Sequence, residues 1–252
     1  MNDKLPDLLG ARSGIVCAIG AGGKKSTLYR IADAHEGPLA LTATVFTTWF
    51  PDTLDLTVVV DDGEALRGAV LAAAREHHRL GYATPSAKPG RYAGVDPQVI
   101  GSIHEQAGLA VTLVKADGAR MRWLKAPKPG EPILAAGCTT VIPLLSARAL
   151  GEPLSDRIAH RPDRVAAVTG LAEGDTVNPL HLARLLTAEG GLLKGIDTQR
   201  VVPVINMVDD DTRTQLATEA AITALELSDR FDRVVLACMR RPSDPVVAVI
   251  ER

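Results

Sequence analysis

Short apolar runs alternate with longer amphipathic stretches along most of the chain. Gly14-Ile15-Val16-Cys17-Ala18-Ile19 has the pattern of a short buried strand, and residues 28–34 that of a helix after a glycine-rich turn. Gly37-Pro38 stops this helix, and Leu39-Ala40-Leu41-Thr42 restarts the chain as a second strand. Leu56-Thr57-Val58-Val59-Val60 predicts a third strand, closed by Asp61-Asp62-Gly63 and followed by an amphipathic helix over residues 64–78. Residues 81–95 turn to glycine, proline, lysine and tyrosine, which predicts an inserted loop or small hairpin. Asp96-Pro97 supplies an N-cap and a first helical position for a short helix ending about Gln106.

The second half keeps the same rhythm. Strands are expected within residues 109–115, 139–144, 200–205, 233–238 and 246–250, and helices over 164–171, 178–188 and 210–227. Apolar strands alternating with helices predict an α/β fold with a mostly parallel central sheet. No internal repeat and no low-complexity segment interrupts it, so residues 1–252 read as a single domain.

Composition narrows the picture. With 46% hydrophobic and only 3% aromatic residues, the core must be built from aliphatic side chains and alanine. A formal net charge of −2 argues against a general nucleic-acid surface. Met1-Asn2-Asp3-Lys4 leads into only a short apolar patch, and no apolar run approaches ~18 residues, so neither a secretory signal nor a membrane partner is expected. Cys17, Cys138 and Cys238 lack zinc-type spacing and read as buried thiols of a cytoplasmic protein.

The candidate chemistry begins with Gly20-Ala21-Gly22-Gly23-Lys24-Lys25-Ser26-Thr27, between the first strand and its helix. Glycines let backbone N–H groups turn toward an anion, a helix N-terminus adds positive potential, and a lysine adds a full charge. Two registers of the phosphate-loop pattern compete. With Lys24 as the phosphate lysine, Gly23 keeps the second motif glycine, but Ala18 replaces the first and Lys25 takes the hydroxyl position. With Lys25 in that role, Ser26 falls on the Mg²⁺ hydroxyl, but Ile19 and Lys24 replace both glycines. Close approach of backbone to phosphate favours Lys24, leaving Ser26 or Thr27, or else a water, to supply the metal ligand.

Three further stretches bear on this loop. Thr42 and Thr44 follow the second strand, on the edge where open parallel sheets bind ligands, although threonine also simply suits strands. Asp117 ends the apolar run from Leu109, where nucleotide hydrolases hold Mg²⁺, and Asp117-Gly118 is equally a turn signal. Beyond it, Arg120 and, later, Arg161 are candidates for stabilising phosphate charge, or else belong to solvated loops. Asn206 and Asp209 follow another strand in the spacing of a guanine-binding Asn-Lys-x-Asp motif with Met207 in place of lysine; capping of the next helix accounts for the pair as well.

Gly20-Ala21-Gly22-Gly23-Lys24, Thr42-Ala43-Thr44, Ala116-Asp117-Gly118-Ala119 with Leu124-Lys125-Ala126-Pro127 and Glu131-Pro132, His160-Arg161-Pro162, and Asn206-x-x-Asp209 together resemble the selenium-dependent hydroxylase accessory protein family called YqeC. The resemblance implies a P-loop NTPase-like three-layer sandwich, associated with maturation of selenium-dependent molybdenum hydroxylases. Lys25, Ala43, Lys115 and Met207 depart from the family pattern. The expected function is Mg²⁺-dependent binding and hydrolysis of ATP or GTP by an accessory factor, whose partners would be a molybdenum hydroxylase or its cofactor-maturation proteins. In that role Lys24, Asp117, Arg120 and Arg161 carry the chemistry, and Ser26, Thr27 and Asp117 meet the metal. Gly20 through Thr27, Thr42, Thr44, Asn206 and Asp209 hold the nucleotide. The alternatives are a P-loop small-molecule kinase and a non-hydrolysing nucleotide- or cofactor-binding module.

Overall fold

A computed structural model describes residues 4–252, so the reading of Met1-Asn2-Asp3 as the start of a leaderless N-terminus lies outside the described residues. The chain folds in the α/β class, on mostly parallel strands with helices packed against them, as a P-loop NTPase-like protein would. It divides into two compact units.

The first unit comprises Met1–Ala18, Thr27–Asp117 and Ile133–Thr140. Its elements are α1 (Leu5–Leu8), most of β1 (Gly14–Gly20) and of α2 (Lys24–Ala34), β2 (Leu39–Ala43), β3 (Thr47–Thr48) and β4 (Thr57–Val60). They continue with α3 (Gly63–Ala73), β5 (Arg79–Ala83), β6 (Arg91–Tyr92), α4 (Pro97–Gln106) and β7 (Val111–Lys115). The strands hydrogen-bond in the order β1-β7-β2-β5-β4, and each neighbouring pair is parallel. Parallel strands buried on both faces need continuous apolar runs. β1, β2 and β7 have them, and Ile15, Leu41, Leu113 and their neighbours are buried. Each such side chain contributes roughly 1.5–3 kcal/mol on leaving water.

In that order β7 lies between β1 and β2, with Ala18 in register with Lys115, and Ala116 N–H donates to Ala18 O at 3.0 Å. Both strands end on one edge of the sheet. From there β1 runs on into the glycine loop and β7 into Asp117.

In this unit two local expectations differ from the fold. The helix expected over residues 64–78 stops at Ala73, because Leu39 N–H recruits the carbonyl of His78 at 2.8 Å and draws the chain into β5. β5 itself falls partly on the segment read as a loop because of Gly81. This glycine is a packing requirement: a Cβ there would lie 2.8 Å from the ring of Phe50. The inserted segment beyond β5 pairs through β6 with β3, antiparallel, and adds an isolated Thr84–Ala93 bridge.

The second unit comprises Ile19–Ser26, Gly118–Pro132 and Val141–Arg252. It holds β8 (Leu124–Lys125), most of β9 (Cys138–Ser146), β10 (Ala159–His160), α5 (Pro162–Thr169) and α6 (Pro179–Thr187). β11 (Arg200–Val201), β12 (Val204–Asn206), α7 (Asp211–Leu227), β13 (Arg233–Ala237) and β14 (Val246–Glu251) complete it. Its strands run β14-β13-β12-β9, with β11 also on β9. β12 is parallel to both neighbours, and β14 is antiparallel to β13. Pro203 lacks an N–H and separates β11 from β12, where the apolar pattern predicts one strand. The start of α6 follows from its sequence. Asn178 accepts from His181 N–H while His181 Nδ1 accepts from Asn178 N–H, a reciprocal cap ahead of Pro179.

Candidate functional site

The glycine loop of the second unit is held on two sides. Ala21 N–H donates to Leu144 O at 2.8 Å and Gly22 N–H to Arg122 O at 3.2 Å. Asn206 Nδ2 donates to Gly22 O at 2.8 Å. Gly20, Gly22 and Gly23 have φ of +86°, +81° and +125°, and a Cβ on Gly20 would lie 2.3 Å from Leu144 O. Only glycine passes so close to β9 in that conformation. Since the Ala21 and Gly22 amides are spent on carbonyls, an anion here would be met later in the loop, where α2 begins at Lys24 with the positive end of its dipole.

Lys24 is 6% exposed, and its ammonium donates to the carbonyl of Gly20, four residues back. The side chain thus folds back over its own loop. Lys25 and Ser26 are half-buried. In the first unit Thr27 is fully buried and Asp117 is 1% exposed. Thr42 Oγ1 donates to Tyr82 O at 2.8 Å and Thr44 Oγ1 to Ile133 O at 2.7 Å, so both hydroxyl protons brace neighbouring strands and loops.

The residues after β12 are also engaged. Asn206 is buried, and its Oδ1 accepts from Met239 N–H at 3.1 Å. Met207 has φ +60°, and its sulfur accepts from Ser146 Oγ at 3.1 Å. Asp209 pairs with Arg148 at 2.5 Å and accepts from Cys238 Sγ at 3.2 Å. Burial alone would raise the Asp209 carboxyl; the bonds from Cys238 and Arg148 outweigh it and hold the group below its ordinary value. Ser146, Arg148 and Met239 carried no signal in the sequence.

A charged cluster lies in the segment after Asp117. β8 pairs in parallel with β10, setting Lys125 beside His160. Lys125 is fully buried, with its ammonium 2.8 Å from Glu131 Oε2, and Arg161 Nη1 reaches the same oxygen at 3.1 Å. Burial would raise Glu131, yet Lys125, the Lys128 amide and Arg161 bring it below its ordinary value. His160 is pushed down to about 4, by burial first and then by Arg161, Lys125 and Arg120. Arg120 itself is exposed.

For a nucleotide, the donor set fits: a lysine at the first position of an 11-residue helix, its ammonium folded back onto the glycine loop. No group of three or more His, Cys, Asp and Glu suited to a metal occurs among the described residues. Mg²⁺ bound with a nucleotide commonly keeps several waters and takes few protein ligands, so it does not require such a group.

No helix among the described residues is long and apolar enough to cross a membrane. The chain is similar to "Uncharacterized protein YqeC" of Escherichia coli (strain K12), 28% identical over 187 residues that cover 73% of this chain and 72% of that protein. The family model described as "YqeC protein" matches residues 16–163, a span that includes the glycine loop, Asp117 and the Lys125–Glu131–Arg161 cluster. With more than half of its length matched, the chain belongs to the YqeC protein family.

Proposed function

We propose that this chain binds a nucleoside triphosphate together with Mg²⁺ on the glycine loop, hydrolyses ATP or GTP, and serves as an accessory factor in maturing a molybdenum- or selenium-dependent hydroxylase. The observation that carries the nucleotide reading is Lys24, nearly buried yet with its ammonium on the Gly20 carbonyl, in a loop whose glycines pack against β9. Lys24 and the start of α2 meet the phosphates. Ser26 or Thr27 and Asp117 meet the Mg²⁺, which when bound neutralises phosphate charge. Arg120 and Arg161 are the side chains suited to stabilising charge that develops there, and Asp209 suits base N–H donors as an ionised acceptor. Family membership supports the accessory role. No nucleic-acid or membrane partner belongs to this reading.

Calorimetric titration of the purified chain with ATP and with GTP, each with and without Mg²⁺, tests the binding. Saturable, Mg²⁺-strengthened binding of one of them is expected, with release of inorganic phosphate on prolonged incubation. No binding of either would overturn the reading; binding without release would leave a nucleotide carrier. For the accessory role, cells lacking this chain are expected to accumulate an inactive hydroxylase.

A further inference from the structure

A cleft of about 910 Å³ opens within the second unit, and none of the glycine-loop residues lines it. Its volume falls in the range of roughly 300–1,000 Å³ that small-molecule sites occupy. Ala167 and Val168 of α5 contribute apolar lining, as do Leu193 and Ile196. Three cations line it as well. Arg164 Nη1 donates to Pro127 O at 3.2 Å and Lys194 Nζ to Lys128 O at 3.0 Å. Arg230 Nη2 donates to Asp197 O at 2.6 Å and to Gln199 O at 3.1 Å.

All these partners are backbone carbonyls. Carbonyls orient a cation without cancelling its charge, and a guanidinium with five N–H groups or an ammonium with three has donors left over after one or two such bonds. Glu189 and Asp197 also line the cleft and leave one positive charge in excess. Positioned cations with a net positive charge, beside apolar lining side chains, are the two halves of an amphipathic anion site. We propose that this cleft binds an organic oxyanion: a small molecule with a phosphate or carboxylate for Arg164, Lys194 and Arg230 and an apolar body for the wall of Ala167, Val168, Leu193 and Ile196.

The competing reading is that the three cations only brace the loops whose carbonyls they hold. The two separate in a fluorescence titration of the full chain with 1-anilinonaphthalene-8-sulfonate, which has an apolar body and one anionic group. Its uncharged counterpart, N-phenyl-1-naphthylamine, serves as the control. Saturable binding of one sulfonate probe per chain is expected, at least about tenfold tighter than the neutral probe, the worth of one charge-assisted hydrogen bond. Added salt should weaken it. Ala167→Trp, at an exposed helical position, should fill the cleft and abolish binding without disturbing the core. Lys24→Ala should leave it unchanged, which separates this site from the nucleotide loop. Equal affinity for the two probes, binding untouched by Ala167→Trp, or binding lost with Lys24→Ala would each overturn the proposal.

Discussion

Asn206 ties the glycine loop to the C-terminal strands: its Nδ2 donates to Gly22 O at 2.8 Å while its Oδ1 accepts from Met239 N–H at 3.1 Å. Both ends of a buried amide are thus used inside the protein. Asn206→Ala would leave a buried carbonyl and a buried N–H without this partner, at a cost of about 1–3 kcal/mol. For a chain this long that is a fall in melting temperature of roughly 2–4 °C for each kcal/mol. Through the slackened loop, affinity for ATP, GTP and inorganic tripolyphosphate should fall by the same factor. A loss confined to one base, with tripolyphosphate unaffected, would return Asn206 to a base-reading role.

The two adjacent lysines are not equivalent. Lys24 lies over the loop on the Gly20 carbonyl, whereas Lys25 is half-buried one position into α2. Lys24→Ala should reduce nucleotide affinity by at least about tenfold, since a hydrogen bond to a charged group contributes roughly 1.5–3 kcal/mol. Lys25→Ala should change it severalfold at most. Equal losses in the same titration would reverse the choice of register.

Glycine substitutions should separate positions that the fold demands from those it does not. At Gly23, φ is +125° and a Cβ would sit 2.2 Å from Asn206 Nδ2; at Gly20 the obstacle is the Leu144 carbonyl. Alanine at either should destabilise the chain by about 1–3 kcal/mol through strain alone, before the clash is counted. Gly118 has no atom within 4 Å of a Cβ, and its φ lies outside the strained positive range. Gly118→Ala should leave the melting temperature within a few degrees of wild type, so a loss of nucleotide binding in that variant would report on the ligand's space and not on folding.

What was legible in the sequence was local. The glycine loop between strand and helix, the Asp96-Pro97 start of α4 and the Asn178-Pro179 start of α6 are written in neighbouring residues, and the fold has all of them. What escaped depends on contacts across the chain. Gly81 looks like a loop residue until Phe50 is packed against it, and Lys125 looks solvated until Glu131 reaches it in the interior. Arg148 meets Asp209 from 61 positions away, and no spacing rule connects the two. The same holds for Asn206, whose motif spacing suggested a base while its contacts reach the loop 184 positions earlier.

The charged cluster around β8 and β10 should give the chain an acid sensitivity with two separable windows. In the unfolded chain His160 takes up a proton near pH 6.5, but in the folded state only at about 4, since burial, Arg161, Lys125 and Arg120 oppose the charge and Glu131 only partly offsets them. Between these values the unfolded state binds more protons. This group's contribution to stability is therefore complete above pH 6.5 and is lost as pH falls toward 4. The full shift corresponds to about 3 kcal/mol; discounted for solvent at a half-buried site, it is on the order of 1–2 kcal/mol. Glu131 acts lower down: its folded value lies below 4.5, so its contribution is present above 4.5 and is lost as pH falls through the folded value. His104 and His181, also pushed down by burial, slope the same way as His160. The difference between wild type and His160→Gln isolates the one group. Urea unfolding at intervals between pH 4 and 7 should show a shallower dependence in the variant, with the two curves parallel above pH 6.5. Identical slopes throughout would mean that His160 titrates normally and that the positive field of Arg161, Lys125 and Arg120 is screened.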